Sequence, residues 1–263
     1  MKYCTKEWYQ TMQNTSFHLL LKVSKKAEVF SEEYYQKLYA KKETEHLRMN
    51  QNALEVKFED IFSPEEFPTS EAFEFAREDF EQERTKFDPE ETKQKFREAQ
   101  DYNIELLKTS LPEEILAKVA DIRVLALDVC TAEVKKLITK FCKNNEKEVE
   151  LAFKKLAKAE QEQFGENPPE FTNESFHDCE ITALEKSGKD IVIRLDNSGG
   201  FTDCKGIVFK NAEIIEQDGD LSGAWWLYDE IYKTDNGFEI HALLQNDELM
   251  YLTIKCENTE FIR

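Results

Sequence analysis

The placement of glycine and proline constrains this chain more than any other feature. All eight glycines lie at or after Gly165, and all six prolines lie at or before Pro169. A glycine-free stretch of 164 residues favours helix, because glycine in a helix interior costs about 1 kcal/mol relative to alanine. The glycines that follow read as turns between strands. The changeover at Gly165-Glu166-Asn167-Pro168-Pro169 contains the one Pro-Pro pair of the sequence. It predicts a helical domain at residues 1–165 and an antiparallel β domain at residues 170–263. The expected fold class is α+β, an all-α N-terminal domain followed by a small antiparallel β barrel or sandwich.

Helix starts are legible from capping residues. Thr5 precedes a short aromatic helix containing Trp8 and Tyr9. Ser31, followed by two glutamates that suit the positive end of the helix dipole, opens a long helix to about Phe58. Thr69 or Ser70 opens a third, with Phe73, Phe80 and Phe87 spaced every seven residues. Asp88-Pro89-Glu90-Glu91 is a cap, a proline at the first helical position and acids in the first turn. That helix should reach about Lys108. Leu111-Pro112 begins another, whose interior from Ile115 to Leu127 is the most apolar stretch and is expected at the centre of the helical core. Thr131 caps the next, and Asn144 or Asn145 a last one ending near Phe164. There is no fixed-period repeat, so a solenoid is not expected.

Beyond the boundary the pattern alternates. Ile191, Ile193 and Leu195 share one face of a strand over 189–196. Ser187-Gly188 joins it to its predecessor, and Asp235-Asn236-Gly237 is a hairpin signal before Phe238 to Leu244. A further turn at 245–248 leads into a strand over 249–254. Short strands and tight connections predict an antiparallel meander.

Nineteen phenylalanines among 263 residues are enough to build cores, which excludes wholesale disorder. The net charge is −19, and residues 165–263, with 21 acidic and 8 basic side chains, carry −13 of it. Such a surface repels phosphate backbones and anionic headgroups, so neither nucleic acid nor membrane is expected as a partner. The opening stretch has no apolar core of a signal peptide, and no apolar run approaches the length that spans a bilayer. The six cysteines are scattered without a CxxC pair, which reads as reduced thiols. The expected location is the cytoplasm.

Several stretches also look familiar. Met1–Gln10 (MKYCTKEWYQ), Leu111–Leu127, Phe176-His177-Asp178-Cys179, Leu195–Asp203 and Gly223–Tyr228 together resemble an uncharacterised bacterial family known only as a domain of unknown function. The resemblance covers nearly the whole chain and implies a bacterial cytoplasmic protein. It transfers no activity, cofactor or catalytic residue. The C-terminal part, opening at Phe176-His177-Asp178, is similar in style to small β domains of the immunity-protein kind.

Four motifs invite a chemical reading. Asp218-Gly219-Asp220-Leu221-Ser222-Gly223 with Asp229 has calcium-loop spacing: oxygens from Asp218, Asp220 and Ser222, glycine at position six and a carboxylate at twelve. Trp226 at position nine brings no ligand, and strands rather than helices flank the loop, so an acidic turn is the plainer reading. No cofactor is expected, with calcium as the one alternative. His177, Asp178, Cys179, Asp203, Cys204, His241 and Cys256 would have to converge across a sheet to bind zinc or activate a thiol, and no pair shows ligand spacing. Asn197-Ser198-Gly199-Gly200 lacks the lysine and helix of a phosphate cradle and reads as a loop.

The fourth motif is the aromatic run Gly223–Tyr232. As a regular strand it places Trp225, Leu227 and Ile231 on one face and Trp226, Tyr228 and Tyr232 on the other. Trp225 is expected inward. The opposite stripe is either covered by the helical part or exposed for recognition. A helical grouping of Ala224, Leu227, Tyr228 and Ile231 stays open. The candidate binding residues are therefore Trp226, Tyr228, Tyr232, His177 and Asp178. The expected function is non-enzymatic binding of a basic protein partner, immunity-like or regulatory, with oligomeric state unassigned. The alternative is a metal-dependent enzyme using the His177/Asp178 region or the Asp218 loop.

Overall fold

Capping side chains start most of the helices where the sequence places them, in a computed structural model that describes residues 1–83 and 86–263. Thr5 accepts a hydrogen bond from the Trp8 amide and opens α1 (Lys6–Gln13). Ser31 does the same for α2 (Glu32–Glu55) through the Tyr34 amide. After the single turn α3 (Phe58–Ile61), α4 spans Ser70–Glu83. Asp88 accepts from the Glu90 and Glu91 amides at the start of α5 (Pro89–Ser110).

Two expectations fail here, each for a local reason. The apolar stretch after Leu111 is not one helix but α6 (Glu113–Leu116) and α7 (Ile122–Ala126). Asp121 interrupts it, because its carboxylate caps the Arg123 amide and also pairs with the Arg123 guanidinium. In the other case, α8 (Ala132–Phe164) runs through Asn144 and Asn145 without a break. Asn145 spends its side-chain amide on the Asn14 carbonyl instead of a cap.

The chain forms two compact units, Phe17–Phe141 and a second made of Met1–Ser16 with Cys142–Arg263. The changeover from helix to strand follows the glycine boundary, but the units do not divide there. In the first unit, Ile115, Val124, Leu125 and Leu127 are buried, as expected of the apolar stretch. A short parallel pair, β1 (Lys22–Val23) and β2 (Val129–Cys130), closes it. The Arg123 guanidinium stands 4.1 Å from the centroid of the Tyr35 ring, and Phe58 gathers the rings of Phe62, Phe67, Phe73 and Phe80.

The second unit contains β3 (Glu180–Ser187), β4 (Asp190–Asp196), β5 (Gly206–Lys210), β6 (Glu213–Gln217), β7 (Ala224–Thr234), β8 (Gly237–Gln245), β9 (Leu249–Cys256) and β10 (Asn258–Ile262). They form one eight-stranded sheet in the order β10-β5-β4-β3-β7-β8-β9-β6. Two antiparallel meanders, β3–β5 and β7–β9, meet at the β3–β7 pair. Only Glu257 separates β9 from β10, and only Asn211 and Ala212 separate β5 from β6. Such short links oblige the sheet to curl until its two ends adjoin. It nonetheless stays open, so the expected barrel or sandwich is corrected to a single curled sheet with free edges at β10 and β6. Gly237 makes the β7–β8 turn possible: its φ is 143°, and a Cβ there would lie 2.1 Å from the Cys256 carbonyl oxygen.

Cross-strand partners Ile193–Ile207, Ile191–Phe209, Ile231–Ile240, Ile240–Ile254 and Ala242–Leu252 place one apolar row after another on the same face. In β7 that face is reached through a bulge. Trp226 pairs with Leu244 and Tyr228 with Leu243, which leaves Leu227 extra. The parity of the strand switches there. Trp226 is 1% exposed, beneath the rings of Phe171 and Phe176, whereas Trp225 is 43% exposed. This reverses the expected inward and outward tryptophans and removes Trp226 from any exposed stripe.

The opposite face of β7 carries Tyr228, Glu230 and Tyr232 and is covered by the N-terminal segment and the later turns of α8. Cys4, Trp8, Val149 and Leu156 form a small core against Tyr228. Glu230 is 0% exposed, and its carboxylate accepts the backbone amides of Lys2 (2.8 Å), Tyr3 (2.8 Å) and Cys4 (2.6 Å) together with the Tyr232 hydroxyl. Burial alone would raise this carboxyl, but those four donors outweigh it and hold it below the ordinary range.

Two outcomes follow. Trp226→Ala should lower unfolding stability by about 3–5 kcal/mol, as for other buried aromatics, while Trp225→Ala should stay within about 0.5 kcal/mol; urea unfolding measures both. Glu230→Ala should cost at least about 1–3 kcal/mol, the penalty for leaving buried donors unpaired. Amide exchange at Lys2, Tyr3 and Cys4 should accelerate in that variant relative to wild type.

Candidate functional site

A tight turn ahead of β3 presents two of the sequence-selected residues. Phe176 is buried, and Asp178 takes the left-handed conformation (φ 63°), which a short polar side chain tolerates. The Asp178 amide donates to the Trp226 carbonyl, and the Trp226 amide donates to that of Cys179. This clamps the turn along the bulged start of β7. His177 is held at its side: Nδ1 lies 2.5 Å from the Leu227 carbonyl oxygen, which can only accept, so Nδ1 carries the hydrogen.

The loop between β4 and β5 lies against this turn. A Cβ on Gly200 would fall 2.4 Å from the Cys179 sulfur, and one on Gly199 would fall 3.2 Å from the Trp225 ring. Asn197 donates to the Thr202 carbonyl and accepts from the Gly200 amide, which fixes the loop internally. The sequence reading of this segment as a loop agrees with that arrangement. Its tip, Phe201, is 75% exposed and lies nearly parallel to the His177 ring at 6.5 Å between centroids. The Tyr228 ring lies 5.1 Å from that of His177.

Between these elements is a depression of about 340 Å³ lined by Glu174, His177, Phe201, Leu227, Tyr228 and Asp229 among others. One Asp229 oxygen, Oδ2, accepts from Trp226 Nε1 at 2.9 Å. Burial, opposed by that hydrogen bond and reinforced by Glu160 and Glu230, pushes its carboxyl up to about 6. Glu174 is held low instead, first by the Thr202 hydroxyl and then by Arg263. The Asp178 carboxylate, 3.7 Å from His177 Nε2, adds negative charge beside it.

The sequence-selected groups divide among three places. His177, Asp178, Tyr228 and Asp229 gather around the depression. Trp226 lies in the core, and Tyr232 bonds to Glu230 further along the Tyr228 face of β7, away from the depression. The proposed calcium ligands are not brought together. Asp218 pairs with Lys6 and accepts the Tyr251 amide, Asp220 accepts the Ser222 amide, and Asp229 stands apart on β7.

Of the wider His/Asp/Cys set, Asp203 and Cys204 do meet, with Glu174 as a third member that the sequence did not suggest. Their ligand atoms lie within 4.8 Å of one another. Arg263 already pairs with both carboxylates, and Cys204 Sγ donates to Glu174. All six thiols are buried. Burial raises Cys204, lifts Cys179 to about 11 and lifts Cys4 and Cys256 to about 12. Thiols held protonated are poor nucleophiles and poor metal ligands. Phe201 and Glu174 escape the sequence reading, and Trp225 is assigned there to the buried face. The one signal for Phe201 is an aromatic directly after Gly199-Gly200 in a loop.

Fold and site together define an α+β protein with an open antiparallel sheet and an acidic, aromatic depression at one end of β7. The chain belongs to a family of proteins of unknown function, DUF4085, whose model matches residues 72–256. No curated protein and no solved structure matches it. Among the described residues no helix is long and apolar enough to cross a membrane.

The raised Asp229 carboxyl gives a pH signature. Its folded value of about 6 exceeds the ordinary 3.8, so the folded state holds this proton more tightly than the unfolded chain. The resulting stability is fully present below about pH 4 and is lost as pH rises through about 6. Asp229→Asn keeps an acceptor for Trp226 Nε1 and removes the titration. Its melting temperature relative to wild type should therefore climb from pH 4 to pH 7, and a flat difference would contradict the assignment.

Proposed function

We propose that this is a bacterial cytoplasmic binding protein without enzymatic activity, which docks a basic protein partner through the patch formed by His177, Asp178, Phe201 and Trp225. The observation that carries this reading is the exposure of Phe201, at 75%, on a loop whose own packing is supplied by Gly199, Gly200 and Asn197. The ring contributes little to the fold, whereas exposed aromatics flanked by charge are the usual anchors of protein interfaces. Trp225, 43% exposed, borders the same loop.

Charge supports the choice of partner. Residues 165–263 carry −13, and within the patch the Asp178 carboxylate stands 3.7 Å from His177 Nε2. Opposite charge on a partner would accelerate encounter and suppress acidic competitors, and the effect would weaken as salt screens it. The immunity-like or regulatory role belongs to this same reading, since such proteins act by occupying a partner's surface.

Affinity capture from native cytoplasm, read by mass spectrometry at low and at high salt, tests it. Wild type should retain a basic protein at low salt and lose most of it at high salt. A Phe201→Ala/Trp225→Ala double variant, with unchanged melting temperature, should fail to retain it at either. Equal retention by both proteins would reject this surface.

A further inference from the structure

We propose that the depression beside Phe201 receives a single guanidinium or ammonium group, presented as an arginine or lysine side chain of the bound protein. This rests on the docking reading above and specifies what its centre recognises.

Size is the first argument. About 340 Å³ is near the lower limit of small-ligand pockets, roughly 300–1,000 Å³. It accommodates one long side chain rather than a helix or strand.

The walls provide the second. The His177 and Phe201 rings are 14° from parallel with centroids 6.5 Å apart, and Tyr228 stands 5.1 Å from His177. Phe201 and Tyr228 both line the depression, so a cation held there comes near two rings of the kind that attract cations within ~6 Å. The exposed Phe201 ring also offers apolar surface to an alkyl stem, which long basic side chains bury readily.

The base provides the third. Trp226 Nε1 fixes Oδ2 of Asp229 at 2.9 Å, while Oδ1 carries no hydrogen bond among the described residues. An acceptor oxygen on a positioned, half-buried carboxylate fits a charged N–H donor, and such charge-assisted bonds are about twice as strong as neutral ones. Burial raises the Asp229 carboxyl, and an arriving cation favours its charged form. The chain also contains its own instance of the chemistry. At the rim, the Arg263 guanidinium rests on Glu174 at 2.7 Å and on Asp203.

The test titrates the full chain with a short capped peptide containing one arginine and, separately, with the same peptide containing citrulline, its neutral isostere. Binding is followed by the NMR signal of the Trp226 indole N–H and by calorimetry. The arginine peptide should bind at least about tenfold more tightly than the citrulline peptide, and Phe201→Ala and Asp229→Asn should each weaken it by about tenfold. Asp247→Asn, which removes the same charge from the β8–β9 turn, should leave the affinity unchanged. Equal affinity for the two peptides, no shift with arginine, or full binding by both depression variants would overturn the proposal. These results are separable from the docking reading. Arginine bound here without any captured basic protein defeats only the partner. A basic protein captured through Phe201 and Trp225 while arginine and citrulline bind alike defeats only the cation receptor.

Discussion

One extra residue in β7 governs the second unit. Without the bulge at Leu227, a strand that buries Trp226 would also turn Tyr228, Glu230 and Tyr232 into an apolar interior and expose Ile231. With it, Trp226 and Ile231 both face the core, while Tyr228, Glu230 and Tyr232 face the N-terminal segment. A parity switch of this kind lets one strand satisfy two chemically different neighbours. It also brings Asp229 to the side of Trp226, where the indole N–H reaches it.

The buried Glu230 carboxylate is the second consequence. A buried charge is tolerated only when its lone pairs are occupied, and three successive amides of the N-terminal segment with one phenolic hydroxyl occupy them. Side chains from the same segment then complete the packing: Trp8 against Tyr228 at 4.9 Å between centroids, and Lys6 against Asp218. The acidic turn whose spacing matches a calcium loop thus takes part in anchoring residues 1–16.

The depression is built from the same constraints. The Phe176–Cys179 turn is clamped by backbone bonds to β7, and the glycine pair of the neighbouring loop packs too closely against that turn to admit side chains. Phe201 follows directly and has no interior left to enter. Exposure of that ring is therefore a product of the local geometry and involves no sacrifice of core packing.

Much of the architecture was legible from residues alone. Caps at Thr5, Ser31, Asp88 and Thr131, the hairpin at Asp235-Asn236-Gly237 and the glycine boundary are local signals, because each acts within a few residues of itself. The alternation of Ile191, Ile193 and Leu195 likewise identified an inner face. The family resemblance agreed with the match over residues 72–256. What the sequence lacked was parity and partnership. A bulge arises from how a strand meets its neighbours, so the sequence assigned the two tryptophans to the wrong faces. Asn145 turned to a distant carbonyl instead of capping a helix, and β6 and β10 found partners across the sheet rather than beside them in the chain. Glu174 joined Asp203, Cys204 and Arg263 from positions up to 89 residues apart. Composition and local pattern determined the α+β class, the acidic surface and most element starts. Tertiary structure alone decided which aromatic is exposed, which carboxylate is buried and where they meet, because those outcomes depend on contacts between residues remote in sequence.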